Sequence, residues 1–318
     1  MTTRRRAAVL ALAAGLGLAG CSGGDTFLLP GGPVAAEQRL ELFQIFGWTM
    51  IAILPVFVLV PALLWRYRYR NRAARYAPDW DRSSVLETLM WAVPLVIVAV
   101  LSVQLYRTTH ALDPYEPLPS DAPPLRVQVV GLDWKWLFIY PDLGIATVND
   151  LAFPERTSVA LELTTDTVMQ SFLVSALAGQ VYAMPGMRSR LHLLADAPGT
   201  FEGENTQFNG TGFPDQKFNA TAMTADGFDA WVAGVREKGR PLTAAAYAEL
   251  GRTSTGAQAR TSLGNAEMPD GTVWFSRVPG DLFATVLGRY AKGTPVPPTD
   301  QPGAVDYAPQ SPSEDTDP

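Results

Sequence analysis

Hydrophobic and polar positions give the chain two long apolar runs, then a stretch of short alternating ones. Leu42 to Trp65 is 24 residues without a charge. At about 1.5 Å per residue, a helix of that length crosses a hydrocarbon core ~30 Å thick with some tilt. Pro55 and Pro61 would interrupt a soluble helix but are tolerated in a membrane, where neighbouring helices satisfy the freed backbone. A second run, Val85 to Tyr106, has Glu87 as its only charged residue. Trp48, Trp65, Trp91 and Tyr106 include interface anchors. Between the runs, "RYRYRNRAARYAPDWDRSS" carries Arg66, Arg68, Arg70, Arg72, Arg75 and Arg82. Positive charge in a short loop marks its cytoplasmic side, which places both ends of the chain outside.

From Leu125 the texture changes. "LRVQVVG", "WKWLFIY", "SVALELT", "VMQSFLV", "RSRLHLLA" and "KFNATAM" are short runs separated by Pro, Gly, Asn and Asp. That pattern predicts an all-β sandwich. In "RLHLL", Leu191 and Leu193 face one way, Arg190 and His192 the other. Helical spacing follows at Phe228, Trp231, Val232 and Val235, with Asp226 a candidate N-cap. "PLTAAAYAELG" reads as a short helix closed by Gly251, and "GDLFATVLGRY" as another. Residues 252–270 read as a polar loop, and the Pro-rich, then acidic, segment 292–318 as disordered. The expected plan is a signal over 1–20, a hairpin over 21–110 and a β-domain over 111–225, then a helical region over 226–291.

Composition supports the membrane reading: 47% of residues are hydrophobic and only 18% charged. Arg4, Arg5 and Arg6 precede the apolar "AAVLALAAGLGLAG", the n- and h-regions of a secretory signal. "LAGC" ends on Cys21, the only cysteine, and resembles a bacterial lipobox, which implies cleavage after Gly20 and a lipid on the Cys21 sulfur. An ordinary cleavage site beside a cysteine is the alternative. "GLGLAG" has the form of a dinucleotide fingerprint, but no strand precedes it and it lies in the h-region. Cleavage leaves 22 basic against 31 acidic residues, net −9, which argues against nucleic acid as a partner.

Candidate chemistry is sparse. His110 and His192 are the only histidines, and there is no nucleophile-elbow sequence. Met169, Met184, Met187 and Met223 are soft donors that core packing explains better. Trp134 and Trp136 share a strand face in "DWKWLFIY" and suit an electron relay, a binding platform or simple burial. Glu87 is costly within a span and so a functional candidate, although it lies close enough to the cytoplasmic end to reach water. The Gly- and Asn-rich stretch Glu202 to Phe218 reads as a loop between strands.

Two spans before an external β-domain, with "SSVLETLMWAVPLVIV", "LDWKWLFIYPDLGIATVNDLAFP", "VMQSFLVSALAGQVYAMPGMRSRLHLLADAPGTFEG", "GTGFPDQKFNATA" and "FDAWV", resemble subunit II of haem–copper respiratory oxidases. The likeness covers about residues 40–236 and is to the branch that oxidises quinol, the cytochrome bo type. It implies a cupredoxin-like sandwich in the bacterial inner membrane, with haems and copper in subunit I and no metal in this chain. The branch that oxidises cytochrome c binds two copper ions here through His, Cys, Glu, Cys, His and Met. The corresponding positions in this chain are Gln170, Asn205, Gln207, Asn209, Phe213 and Gln216. The resemblance implies a proton entrance at Glu87. We also expect contact with subunit I around Trp134, Trp136 and Ala183, Met184, Pro185, Gly186 and Met187. The alternatives are a cytochrome c oxidase-type subunit, which needs thiolates, or an anchored lipoprotein that binds a solute.

Overall fold

The computed structural model describes residues 27–69, 71–73, 79–120, 122–264, 273–291, 293 and 295–308. The signal segment and Cys21 lie outside the described residues. The chain forms two compact units, residues 37–116 and the remainder.

The hairpin unit holds most of α1 (Pro33–Arg66) and all of α2 (Ser84–Ala111). Both helices are long and apolar enough to cross a membrane. Helix α1 begins nine residues before the uncharged run. Pro33 at its first position presets φ, and Glu37, Arg39 and Glu41 are residues that α-helices accept. Pro55 and Pro61 both lie inside it. Helix α2 is capped by Ser83, whose hydroxyl accepts from the Leu86 N–H at 3.5 Å. Gln104 on α2 donates through Nε2 to Glu41 Oε2 at 2.5 Å and to Gln44 Oε1 at 2.8 Å on α1.

The second unit is a two-sheet sandwich with helices on one outer face. Its strands are β1 (Leu125–Leu132), β2 (Lys135–Tyr140), β3 (Ile145–Val148), β4 (Asp150–Pro154), β5 (Val159–Thr165) and β6 (Gln170–Val174). The chain continues through β7 (Ala178–Ala183), β8 (Ser189–Leu193), β9 (Gly199–Asn205), β10 (Lys217–Met223), β11 (Arg240–Pro241) and β12 (Val273–Arg277). Among the described residues one sheet runs β11-β12-β3-β2-β1-β5-β8 and the other β4-β10-β9-β6-β7. Strand β1 pairs parallel with β5 and antiparallel with β2.

The large sheet is apolar on both faces, which explains why "WLFIY" shows no alternation with polar residues. Trp136, Phe138 and Tyr140 enter the core between the sheets with Phe172 and Phe218. Leu137 and Ile139 point the other way, into a second core with Leu250, Phe283 and Val286. The helices supplying that second core are α4 (Ala244–Leu250), α5 (Gly256–Leu263) and α6 (Leu282–Ala291), while α3 (Ala225–Lys238) buries Phe228, Val232 and Val235 in the first.

Several boundaries therefore differ from the sequence reading. Within 226–291, α4, α5 and α6 cover the outer face of the large sheet, α3 packs into the first core, and β11 and β12 extend the large sheet beside β3. Residues 252–270 are not all loop, since α5 forms there behind Thr255 with a capping box to Gln258. The N-cap of α3 is Thr224, whose hydroxyl accepts from the Gly227 N–H at 3.2 Å, not Asp226. The expected disordered tail is packed as far as Ala308. Arg289 Nη1 donates to Asp300 O at 2.6 Å, Gly303 N to Gly251 O at 3.0 Å, and Tyr307 is buried. Residues 309–318 lie outside the described residues.

Candidate functional site

The loop between β9 and β10 closes one end of the sandwich, and four amide side chains meet beneath it. Gln170 opens β6, Asn205 ends β9, Asn209 lies in the loop and Gln216 precedes β10. Gln170, Asn205 and Gln216 are buried. Gln216 Nε2 donates to Gln170 Oε1 at 2.7 Å and to Leu132 O at 3.2 Å. Its Oε1 accepts from Asn205 Nδ2 at 3.0 Å and Asn209 Nδ2 at 2.8 Å. Gln170 Nε2 donates to Leu132 O and Thr167 Oγ1, both at 3.2 Å. Asn205 Oδ1 accepts the Ser171 and Gln207 N–H groups at 2.9 and 3.0 Å.

Local backbone makes room for this cluster. A Cβ on Gly131 would collide with Gln170 Oε1. Trp134 lies under the loop, donating Nε1–H to Asn209 O at 3.1 Å. Its indole occupies the space that a Cβ on Gly212 would need, and Gly210 turns with φ at +119°. The "NGTG" of the sequence is therefore a seat for an indole.

Of the six positions that the resemblance pairs with copper ligands, the structure brings Gln170, Asn205, Asn209 and Gln216 together. Gln207 joins through its backbone, its carbonyl accepting from Asn205 Nδ2 at 2.8 Å. Phe213 starts the 3-10 turn Phe213–Asp215, and its ring packs on Phe208 with centroids 5.7 Å apart. Phe208 is 72% exposed and was missed in sequence. Its signal was an aromatic inside a polar loop. Carboxamides already tied into hydrogen bonds, with a phenyl ring, do not fit copper, which takes thiolate, imidazole and thioether donors. Among the described residues no group of three His, Cys, Asp or Glu side chains is placed to hold a metal.

Two buried charges beside this cluster were also missed. Lys135 is inaccessible, and its Nζ donates to Asp133 O at 2.6 Å and to Arg252 O, Ser254 O and Ser254 Oγ at 2.9 Å. Burial pushes its ammonium down to about 7, opposed by the Asp133 and Glu249 charges. Asp166, in the β5–β6 turn, is likewise inaccessible. Burial pushes its carboxyl up to about 6, against the pull of Arg289 and the hydroxyls of Tyr247 and Tyr290. A lysine within an apolar strand and an aspartate in the connection between β5 and β6 were the sequence signals.

The expected partner contacts divide by burial. Trp136 is fully buried, edge-on to Phe172 with centroids 5.3 Å apart, and Ala183 is also fully buried. Neither side chain can touch a partner, and Trp134 lies in the turn before β2 rather than on a strand face with Trp136. Trp134, Met184, Pro185 and Gly186 are half-buried, and Met187 is exposed. Glu87 occupies the first turn of α2, where the helix dipole favours a carboxylate. Its Oε2 lies 3.4 Å from Arg82 Nε, and both side chains are exposed. His192 sits half-buried on β8 between the buried Leu191 and Leu193.

No family model matches the chain. It is 44% identical to cytochrome bo(3) ubiquinol oxidase subunit 2 of Pseudomonas putida over 237 residues, 74% of this chain and 75% of that protein. The same subunit of Pseudomonas aeruginosa is 40% identical, covering 88% and 80%. Ubiquinol oxidase subunit 2 of Acetobacter aceti is 39% identical, covering 89% and 87%. Among solved structures, the periplasmic domain of subunit II of a Bradyrhizobium japonicum cytochrome oxidase aligns with a TM-score of 0.36 at 20% identity. It covers 38% of this chain and 97% of that one.

Proposed function

The chain belongs to the family of ubiquinol oxidase subunit 2, and from that membership we propose that it is the non-redox subunit of a proton-pumping terminal quinol oxidase. In this reading the complex oxidises ubiquinol and reduces oxygen to water. Haems, copper and the quinol site lie in subunit I, which this chain caps on the outer face. Two spans hold the chain in the bacterial inner membrane with its bulk in the periplasm. A lipid on Cys21 adds a second anchor.

The observation that carries the reading is the closed amide cluster at Gln170, Asn205, Asn209 and Gln216. An electron entering from cytochrome c would need a metal here, and these side chains commit most of their polar groups to one another and to nearby backbone, with Asn209 Oδ1 left unpaired. The cluster lacks the thiolate, imidazole and thioether donors that copper takes. This disfavours a cytochrome c oxidase-type subunit, and two apolar helices exceed what a lipid-anchored solute binder needs.

Glu87 is assigned to proton entry. Positive charge in the Arg-rich loop assigns the start of α2 to the cytoplasmic side in this reading, where the exposed Glu87 carboxylate is within reach of water. Contact with subunit I is assigned to Trp134 and to the turn Met184–Met187.

The test is oxygen uptake by the complex that co-purifies with the chain after mild detergent extraction, with ubiquinol and reduced cytochrome c compared as donors. Uptake with ubiquinol alone is expected. Uptake with cytochrome c would reveal an electron entry in conflict with the amide cluster. A chain that emerges alone and without haem would overturn the subunit reading.

A further inference from the structure

The β5–β6 and β7–β8 turns lie side by side, since Thr165 bridges to Pro185 and Thr164 Oγ1 donates to Met184 O at 3.2 Å. Between them they expose Val168, Met169 and Met187. Turns of this kind, with few internal hydrogen bonds, open locally unless something holds them. Helix α6 touches both. On the first turn, Tyr290 OH donates to Asp166 O at 2.7 Å, and Arg289 Nε lies 3.0 Å from Asp166 Oδ1, a charge contact without hydrogen-bond alignment. On the second, Gly186 adopts φ +70° with its α-carbon face against Tyr290, where a Cβ would come within 3.1 Å. The Arg188 guanidinium sits over the Phe283 ring, 5.8 Å from its centroid.

The arrangement is more specific than core filling requires. Helix α6 already buries Phe283 and Val286 in the second core, yet it also directs an arginine and a tyrosine at one aspartate. A buried ion pair adds little net stability compared with apolar packing, and its best-attested use is to fix one arrangement among several. The other ends of the joint are fixed too. Tyr247 OH donates to Asp166 Oδ2 at 2.6 Å, and Arg289 Nη1 is held by Asp300 O at 2.6 Å.

We propose that α6 is a clamp that sets the conformation of these two turns for docking on the large oxidase subunit, with Arg289 and Tyr290 as its positioning residues. The proposal rests on the assignment of the Met184–Met187 turn to that contact. It gives α6 a role in assembly.

The test uses the detergent-purified complex with Arg289→Ala, Arg289→Lys and Tyr290→Phe. Hydrogen–deuterium exchange is read over 166–169 and 183–188, and retention of the haem-bearing subunit is read after a detergent wash. Arg289→Ala should speed exchange in both turns about tenfold, leave β1 and β2 unchanged, and halve retention or worse. Arg289→Lys should restore most of both, and Tyr290→Phe should give the same pattern a few-fold weaker. If Arg289→Ala fails to accumulate, Tyr290→Phe decides. Faster exchange with full retention would leave the clamp standing and refute the contact assignment. Lost retention with unchanged turns, or no change in either reading, would overturn the clamp.

Discussion

Gln216 Nε2 donates to Gln170 Oε1 across 2.7 Å, tying the start of β6 to the end of the β9–β10 loop. Both are positions that the family resemblance pairs with copper ligands of the cytochrome c branch. The bond fixes the loop to the sheet through two carboxamides. Replacing Gln216 by Leu would strand Gln170 Oε1 and Asn209 Nδ2 in a buried site. An unsatisfied buried polar group costs about 1–3 kcal/mol, so the loss should be roughly 2–5 kcal/mol. Thermal unfolding of the detergent-solubilised protein should show a clear drop in Tm, whereas an unchanged Tm would mean the network contributes no stability.

Glu87 offers a functional test. Glu87→Gln keeps shape and helix start but removes the carboxylate. If it collects protons, quinol-driven oxygen uptake should fall on the order of ten- to hundredfold while subunit content stays normal. Arg82→Ala, which removes only an exposed ion pair, should leave turnover close to wild type. Undiminished uptake by Glu87→Gln sinks the proton role.

Lys135 makes stability depend on pH in a direction that can be worked out. Burial lowers its folded-state value to about 7, from 10.5 in the unfolded chain. The unfolded state therefore binds more protons between those values, and stability rises with pH. The contribution is complete above 10.5 and is lost as pH falls through 7. Between pH 7 and 9 the wild-type Tm should climb relative to that of Lys135→Met, which has no proton to lose. Parallel Tm curves for the two proteins would show that Lys135 titrates normally.

Much of this architecture was legible because it rests on periodicity. Two long apolar runs gave the two long helices, and Leu191 and Leu193 gave the buried face of β8. What escaped notice depends on distant partners. "VWFSR" becomes β12 only by pairing with β3, far away in the chain, and a short apolar run shows no sign of that. The same long-range covering hides in "WLFIY", where both faces are buried and alternation vanishes. Helix α5 was lost because it is short and opens on Gly256, though Thr255 and Gln258 carried its capping signal. At the candidate site, Gln170, Asn205, Asn209 and Gln216 were found by their alignment with ligands. Lys135 and Asp166 were not, because burial of a charge is set by loops that close over it from 252–254 and from α6.

Cys21 lies outside the described residues and is testable without them. If "LAGC" is a lipobox, Cys21→Ser should abolish labelling by a fatty-acid probe and leave the longer precursor uncleaved. With two apolar helices already present, membrane association should survive the substitution. Continued labelling would place the lipid elsewhere or remove it from the account.

The last prediction reverses the loss of ligands. If the loop keeps the frame of a copper site, six substitutions should restore one: Gln170→His, Asn205→Cys, Gln207→Glu, Asn209→Cys, Phe213→His and Gln216→Met. The two cysteines supply the thiolates that copper requires, and the histidines and methionine supply the rest of its soft donor set. The structure already brings four of these positions into one buried cluster, so their side chains need little backbone movement to converge. Phe213 is the strained case, because its ring now packs outward on Phe208 and must turn inward as histidine. Loading with copper should give an intensely coloured protein through thiolate-to-copper charge transfer, while the unsubstituted chain stays colourless. A folded, six-fold variant that takes up no copper would show that these residues are misaligned with the ligands, and would remove the amide cluster as the reason for reading this chain as the quinol-linked subunit.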